Sequence, residues 1–260
     1  MIKKILSYKK LNSVDIDSGD RITVHDEIFK KKNIIRDIFI EFHNIFLKYE
    51  KQYLSMNGLR VELGSGVYPI KNTDNNVISS DVVKNKKYDL VVNAEKMNFK
   101  DSSISTIFMQ NVFHHIGNPE NFFNESNRVL MKGGGLILVE PYYNFLSTII
   151  YNNISKNEFF DKKQKSWSNN TKSMSGANQA LSYNIFIRDF KKFSKKYKNF
   201  EIVEIKPLNN YLRYIFSGGL NFKQLLPSWL FFFLKIIEFI LNPLKHFFAI
   251  HYIIVIKKVD

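Results

Sequence analysis

The run Leu59 to Leu63 ends directly on Gly64-Ser65-Gly66, and from there short apolar runs alternate with helical patterns. No other feature restricts the fold as strongly. A buried strand feeding a glycine turn places bare backbone N–H groups at the carboxyl edge of a sheet, where open α/β sheets hold ligands. Val77 to Ser80, closing on Asp81, is the second run; Tyr88 to Val92 is the third and Ile104 to Met109 the fourth. Only six residues separate Asp81 from Tyr88, so that connection is too short for an ordinary crossover helix. Asn118-Pro119-Glu120 opens a helix with a capping side chain and a first-turn proline, and Phe122, Phe123, Ser126, Val129 and Leu130 form its apolar stripe. Lys132 with Gly133-Gly134-Gly135 is expected to end that helix, and Leu136 to Glu140 to form a fifth strand stopped by Pro141. Such alternation predicts a mostly parallel sheet covered on both faces.

Helical spacing from Val24 to Leu54, through Ile28, Ile35, Ile38, Phe42, Phe46 and Tyr49, predicts one long or two shorter amphipathic helices before the sheet. Tyr142 to about Leu181 is polar, aromatic and irregular, the pattern of a lid. Asn184 to Tyr197 predicts a helix whose Lys191, Lys192, Lys195 and Lys196 form a solvated face. Phe200 to Leu208 and Phe248 to Lys258 read as closing strands with an apolar insertion between them. The expected organisation is an N-terminal helical segment, 1–58, and a domain, 59–260, carrying a lid at about 142–183 and a helical insertion at about 209–247.

Cysteine is absent, which removes disulfides, cysteine-ligated zinc, iron–sulfur clusters and thiol nucleophiles together. The formal net charge of +14 is unevenly placed: 20 Lys+Arg face 17 Asp+Glu in residues 1–150, against 18 and 7 in 151–260. A basic C-terminal part suits an anionic partner: nucleic acid, a phospholipid surface or a phosphorylated substrate. The basic start has only Ile5, Leu6 and Ser7 before further lysines, too short for an apolar signal region, so a cytoplasmic location is expected.

Four segments in order resemble the class I S-adenosylmethionine-dependent methyltransferases, in the type 11 branch. The first is Val61-Glu62-Leu63-Gly64-Ser65-Gly66, with an acid two residues before the first glycine. The second is Asn93-Ala94-Glu95-Lys96-Met97-Asn98-Phe99-Lys100-Asp101-Ser102-Ser103-Ile104-Ser105. The third is Gln110-Asn111-Val112-Phe113-His114-His115-Ile116, and the fourth is Arg128-Val129-Leu130-Met131-Lys132-Gly133-Gly134-Gly135-Leu136. Together they cover about residues 60–141. Tyr68 stands where the first motif has its third glycine, and Asn93 where the second has aspartate; Pro69 also breaks the dinucleotide pattern G-x-G-x-x-G. The resemblance implies an α/β fold: a doubly wound, mostly parallel seven-stranded Rossmann-like sheet with N-terminal helices and helical insertions. It implies S-adenosylmethionine as cofactor, held by Glu62, Gly64, Ser65, Gly66, Asp81, Val82, Asn93, Ala94, Gln110 and Asn111.

Catalytic candidates are His115, which matches the family's recurrent histidine, its neighbour His114, and Glu140 at the end of the fifth strand. A base helps when the acceptor is a hydroxyl, whose proton must leave. Adjacent helical positions point about 100° apart, so one of the two histidines is expected to face the cofactor. Glu140 has a plainer role as an acceptor for loop backbone. His25, His43, His246 and His251 show no metal-ligand spacing, and no metal is implied. Tyr142, Tyr143, Trp167 and the run Met174-Ser175-Gly176-Ala177-Asn178 could stack on a sugar or simply pack the lid.

Leu225 to Leu241 would span about 25 Å as a helix, short of a hydrocarbon core of about 30 Å, and it contains Lys235 and Glu238. It is expected to pack on the core or a second subunit, or to lie in a membrane interface. The expected partner is a small-molecule or lipid-linked acceptor. No nucleic acid is expected, because no N-P-P-Y-type segment follows the fourth strand. Three readings stay open: an enzyme acting on a saccharide or lipid-linked envelope intermediate, a quinone or other lipid methyltransferase, and a non-catalytic scaffold that binds S-adenosylmethionine.

Overall fold

The computed structural model describes residues 6–15, 18–54, 57–154, 158–169 and 177–260. Seven strands form one sheet in the order β3-β2-β1-β4-β5-β7-β6. They are β1 (Leu59–Leu63), β2 (Ile78–Asp81), β3 (Leu90–Val91), β4 (Ile104–Gln110), β5 (Leu130–Pro141), β6 (Phe200–Pro207) and β7 (His251–Lys258). The first five pair in parallel, and β7 runs antiparallel to both β5 and β6. This is the doubly wound Rossmann-like architecture, its chain order reversing between β1 and β4.

Central strands carry uninterrupted apolar side chains because both faces are covered; Ile107, Phe108, Ile137, Leu138, Ile253 and Ile254 have no exposed surface. Two N-terminal helices, α1 (Gly19–Lys30) and α2 (Asn33–Tyr53), fulfil the two-helix reading. Helix α2 lays Ile35, Ile38, Phe42 and Phe46 on one sheet face, in a cluster with Phe108, Ile137 and Val139. The opposite face is closed by α3 (Pro119–Val129), whose Phe122 and Phe123 pack with Phe113, Phe186 and Phe193. Asn118 caps α3 by accepting from the Glu120 and Asn121 N–H groups, and Pro119 supplies its first turn.

The triple glycine departs from its expected role. Helix α3 ends at Val129, and Leu130 already belongs to β5, so Gly133-Gly134-Gly135 lies within the strand. A Cβ on Gly134 would sit 2.5 Å from the Ser105 carbonyl oxygen, and one on Gly135 would sit 2.2 Å from that of Ile256. The glycines allow neighbouring strands to close on a register shift, where β4 pairs Ile104 with Leu130 but Thr106 with Gly135.

Other expectations also need correcting. Asn184 to Tyr197 is not one helix: a π-turn (Asn184–Arg188) precedes α5 (Phe190–Lys196). The lid region contains an apolar helix, α4 (Phe145–Ile154). The insertion between β6 and β7 holds α6 (Tyr211–Ser217) and α7 (Phe231–Ile240). Phe231 and Leu234 face inward while Trp229, Phe232 and Phe233 are exposed. Helix α7 is tied down by its acid. Glu238 accepts from the Arg213 backbone N–H at 2.9 Å and from Nε at 2.6 Å, and Arg213 also clamps Glu41 of α2. No helix among the described residues is long and apolar enough to cross a membrane.

Candidate active site

The turn after β1 is built around its glycines. Gly64 has φ +71°, and a Cβ there would approach Val112 Cγ2 to 2.5 Å, so both backbone sign and space require glycine. Glu62 lies fully buried beneath this turn and accepts from Ser65 Oγ at 2.7 Å and the Ile70 N–H at 2.9 Å. Burial pushes its carboxyl up to about 8, against the lowering effect of those hydrogen bonds. Ser65 also stitches β1 to β2, donating its N–H to Ser80 O and accepting the Ser80 N–H on Oγ. Asp81 closes the same corner by accepting from the Gly66 N–H at 3.3 Å and the Val83 N–H at 3.1 Å; burial raises its pKa. Tyr88 donates its hydroxyl to Gly66 O, a clamp that the residue pattern did not single out. Val82 is 67% exposed, and its side chain takes no part in this corner.

Beyond β3, the Asn93 side chain accepts the Glu95 N–H at 2.8 Å, shaping the turn that carries Ala94. Arg128 then fastens the following loop by donating to Met97 O, Phe99 O and Asp101 Oδ1, which explains why an arginine begins the fourth motif. At the end of β4, Asn111 adopts φ +54° and donates its N–H to Val139 O. Gln110 Oε1 and Asn111 Oδ1 are buried with no hydrogen-bond partner among the described residues. Two orphaned acceptors beside a glycine turn suit a cationic ligand with N–H donors, such as the ammonium of S-adenosylmethionine.

On the other side of β4, Phe113–His115 forms a single 3₁₀ turn. Glu140 is completely buried at the end of β5. Its Oε1 accepts the N–H groups of Val112 and Phe113 at 3.0 and 2.9 Å, and its Oε2 lies 2.7 Å from His114 Nδ1. That contact assigns the Nδ1–H tautomer to His114 and leaves Nε2 as its second nitrogen. Contrary to the helical-spacing expectation, both imidazoles lie on one side, with ring centroids 4.2 Å apart. Their Nε2 atoms stand 3.8 Å (His114) and 3.6 Å (His115) from the Glu158 carboxylate. Burial disfavours the His114 imidazolium, but Glu140 and Glu158 outweigh it and raise the pKa. Burial, reinforced by His114, holds His115 well below the ordinary histidine range.

Glu158 is the residue that sequence reasoning missed. It lies in the lid, far along the chain from the histidines, and is bonded by Gln179 Nε2; no local motif marks it. His114, His115 and Glu158 offer ligand atoms within 4.8 Å of one another, a set that could hold a metal ion. His43 and His251, which showed no metal-ligand spacing in the sequence, are buried in packing positions. Trp167 is buried and donates to Asp189, with Lys192 over its ring, so it braces the lid. Asn178 is likewise internal, accepting from Asp161 and Ala180; Met174-Ser175-Gly176 lies outside the described residues.

Residues 61–138 match the family model described as a methyltransferase domain, spanning β1 to β5. Residues 61–138 thus form a methyltransferase domain, the core of the sheet. A comparison with curated proteins returns no match. Among solved structures, the chain is similar to geranyl diphosphate C-methyltransferase from Streptomyces coelicolor A3(2), at 10% identity and TM-score 0.48 over 84% of this chain and 78% of that one. It is also similar to the YcgJ protein from Bacillus subtilis, at 13% identity and TM-score 0.43, covering 84% and 99%. A third likeness is to phosphoethanolamine N-methyltransferase 2 from Haemonchus contortus, at 12% identity and TM-score 0.45, covering 83% of this chain and 52% of that one.

Proposed function

We propose that the chain transfers a methyl group from S-adenosylmethionine to a hydroxyl of a saccharide or lipid-linked envelope intermediate, working as a peripheral protein at the inner face of the cytoplasmic membrane. The donor supplies an electrophilic methyl on a sulfonium. Glu62, Gly64, Ser65 and Gly66 shape its turn; Asp81 offers a carboxylate to the ribose hydroxyls; Asn93 and Ala94 flank the base; Gln110 and Asn111 offer buried acceptors to the cationic end. Val82 contributes backbone only.

One observation carries the choice of a hydroxyl acceptor: the buried Glu140–His114 pair, with His114 Nε2 turned toward the lid rather than into the core. A hydroxyl must shed its proton as its oxygen is methylated, and His114 Nε2 receives it while Glu140 holds the ring and balances the imidazolium. His115, well below the ordinary range, remains neutral and packs beside that ring. A quinone or other lipid phenol would use the same base. An intact donor corner beside a buttressed base favours turnover over a non-catalytic scaffold.

Calorimetry tests the first half: S-adenosylmethionine and its demethylated product bind, and NAD does not. Methyl-transfer assays against saccharide-lipid and quinone acceptors test the second. If the rate with a hydroxyl acceptor is unchanged in His114→Asn, the base assignment fails even though cofactor binding stands.

A further inference from the structure

The surface of the β6–β7 insertion is unlike the rest of the molecule. Trp229, Phe232, Phe239, Ile240 and Phe247 are between 65% and 80% exposed, while the same segment buries Phe231 and Leu234. Side chains of this size left uncovered in one stretch form a patch that monomeric soluble proteins rarely show. The face is held firmly. Glu238, on the inner side of α7, is locked to Arg213, which is locked in turn to Glu41.

The apolar surface continues onto the lid. Helix α4 packs against the turn Lys245–Phe248, and Asn144 Nδ2 donates to the carbonyls of His246 and Ala249 at 3.2 and 2.7 Å. Phe145 of α4 is itself 80% exposed. The apolar surface therefore runs from the insertion onto α4 of the lid.

Charge says what covers it. Between Ile205 and Val259 the sole acid is Glu238, which is buried, whereas Lys235 is exposed and Lys245 is half-exposed. Glu41 pairs with Lys235 at 3.7 Å and with Arg213, so its single negative charge is shared between two cations. A second copy placed on this face by a two-fold axis would set these lysines against their own kind, with no exposed acid of the segment to pair them. An anionic bilayer accepts both features: apolar side chains enter the headgroup boundary, and lysines meet lipid phosphates.

We infer that the Leu225–Phe247 face, extended by Phe145, is a docking surface for an anionic phospholipid bilayer. The inference rests on the proposed function only for its consequence, that a lipid-linked acceptor reaches the histidines from the bilayer.

The full chain is tested with vesicles of phosphatidylcholine alone and mixed with phosphatidylglycerol, by flotation at low and high salt. The expected result is binding to the anionic vesicles that weakens with salt. Trp229 is a built-in reporter, because the other tryptophan, Trp167, is only 3% exposed. Tryptophan emission should shift to the blue on binding and become shielded from an aqueous quencher. The double variant Phe239→Glu/Ile240→Glu should bind about tenfold more weakly or worse, with unchanged melting temperature and cofactor affinity. Lys235→Gln and Lys245→Gln should each weaken anionic binding about fivefold. Wild-type protein that stays unbound to both vesicle types, with Trp229 emission unmoved, overturns the inference. So does a concentration-dependent dimer that Phe239→Glu splits, which assigns the face to a second copy. Cofactor calorimetry on the same wild-type sample shows separately whether the methyltransferase reading stands.

Discussion

The glycine-turn corner and the histidine corner sit at the same carboxyl edge of the sheet, but they are assembled in opposite ways. At the first, Glu62, Ser65, Ile70 and Asp81 come from one short stretch and bind mainly backbone groups of that stretch. At the second, Glu140 meets His114 across 26 residues, Asn111 meets His251 across 140, and Glu158 arrives from the lid. The first corner is a local conformation that glycines permit; the second exists only after the sheet, lid and insertion have packed. Under the proposed function, the first corner holds the cofactor and the second selects the acceptor.

Four outcomes would sharpen or break that contrast. The largest effect is expected at the histidine corner: His114→Asn should lower turnover by about 10²–10⁴ and leave cofactor affinity nearly unchanged. His115→Asn should cost far less. In the parent enzyme the rate should rise with pH through a pKa above 6.5, since the raised His114 must lose its proton to act as base. Treatment with a chelator should leave that rate intact; loss restored by a divalent metal would reassign His114, His115 and Glu158 to a metal centre.

Next in size is the buried link that carries α7. Arg213→Met leaves Glu238 uncompensated and should destabilise the fold by about 3–5 kcal/mol in denaturant titrations. Adding Glu238→Met should recover much of that loss. If the single variant is as stable as the parent, the insertion is not anchored as the geometry indicates.

Asp81→Ala should weaken S-adenosylmethionine binding by about 1.5–3 kcal/mol, measured by calorimetry, by removing a charged acceptor from the glycine-turn corner. Unchanged affinity in the folded variant would detach that corner from the cofactor.

The smallest effect concerns Glu62. Its pKa is raised in the folded state to about 8 from an ordinary value of 4.5, so the native chain binds the extra proton between those limits. Its contribution is fully present below 4.5 and lost as pH rises through about 8. Thermal melts of Glu62→Gln across this window should therefore show a shallower fall than the parent. Equal slopes would show that another group sets the pH dependence.

The amino-acid sequence alone determined the class of fold and the glycine-turn corner. Strand and helix periods, the Asn118 cap and the Gly64 turn are written in neighbouring residues, and each acts through backbone conformation over a few positions. The triple glycine misled because a helix-ending glycine and a strand-closing glycine look alike without the partner strand, here Ser105 and Ile256. Only the tertiary structure decided that both histidines face Glu158, that Glu140 is spent on His114 and two loop N–H groups, and that half of an apolar helix faces outward. Those outcomes depend on which distant surfaces meet. Burial of Glu238 against Arg213 turns one side of α7 inward and leaves Phe232, Phe239 and Ile240 on the other; the count of apolar residues along the helix holds no record of that choice.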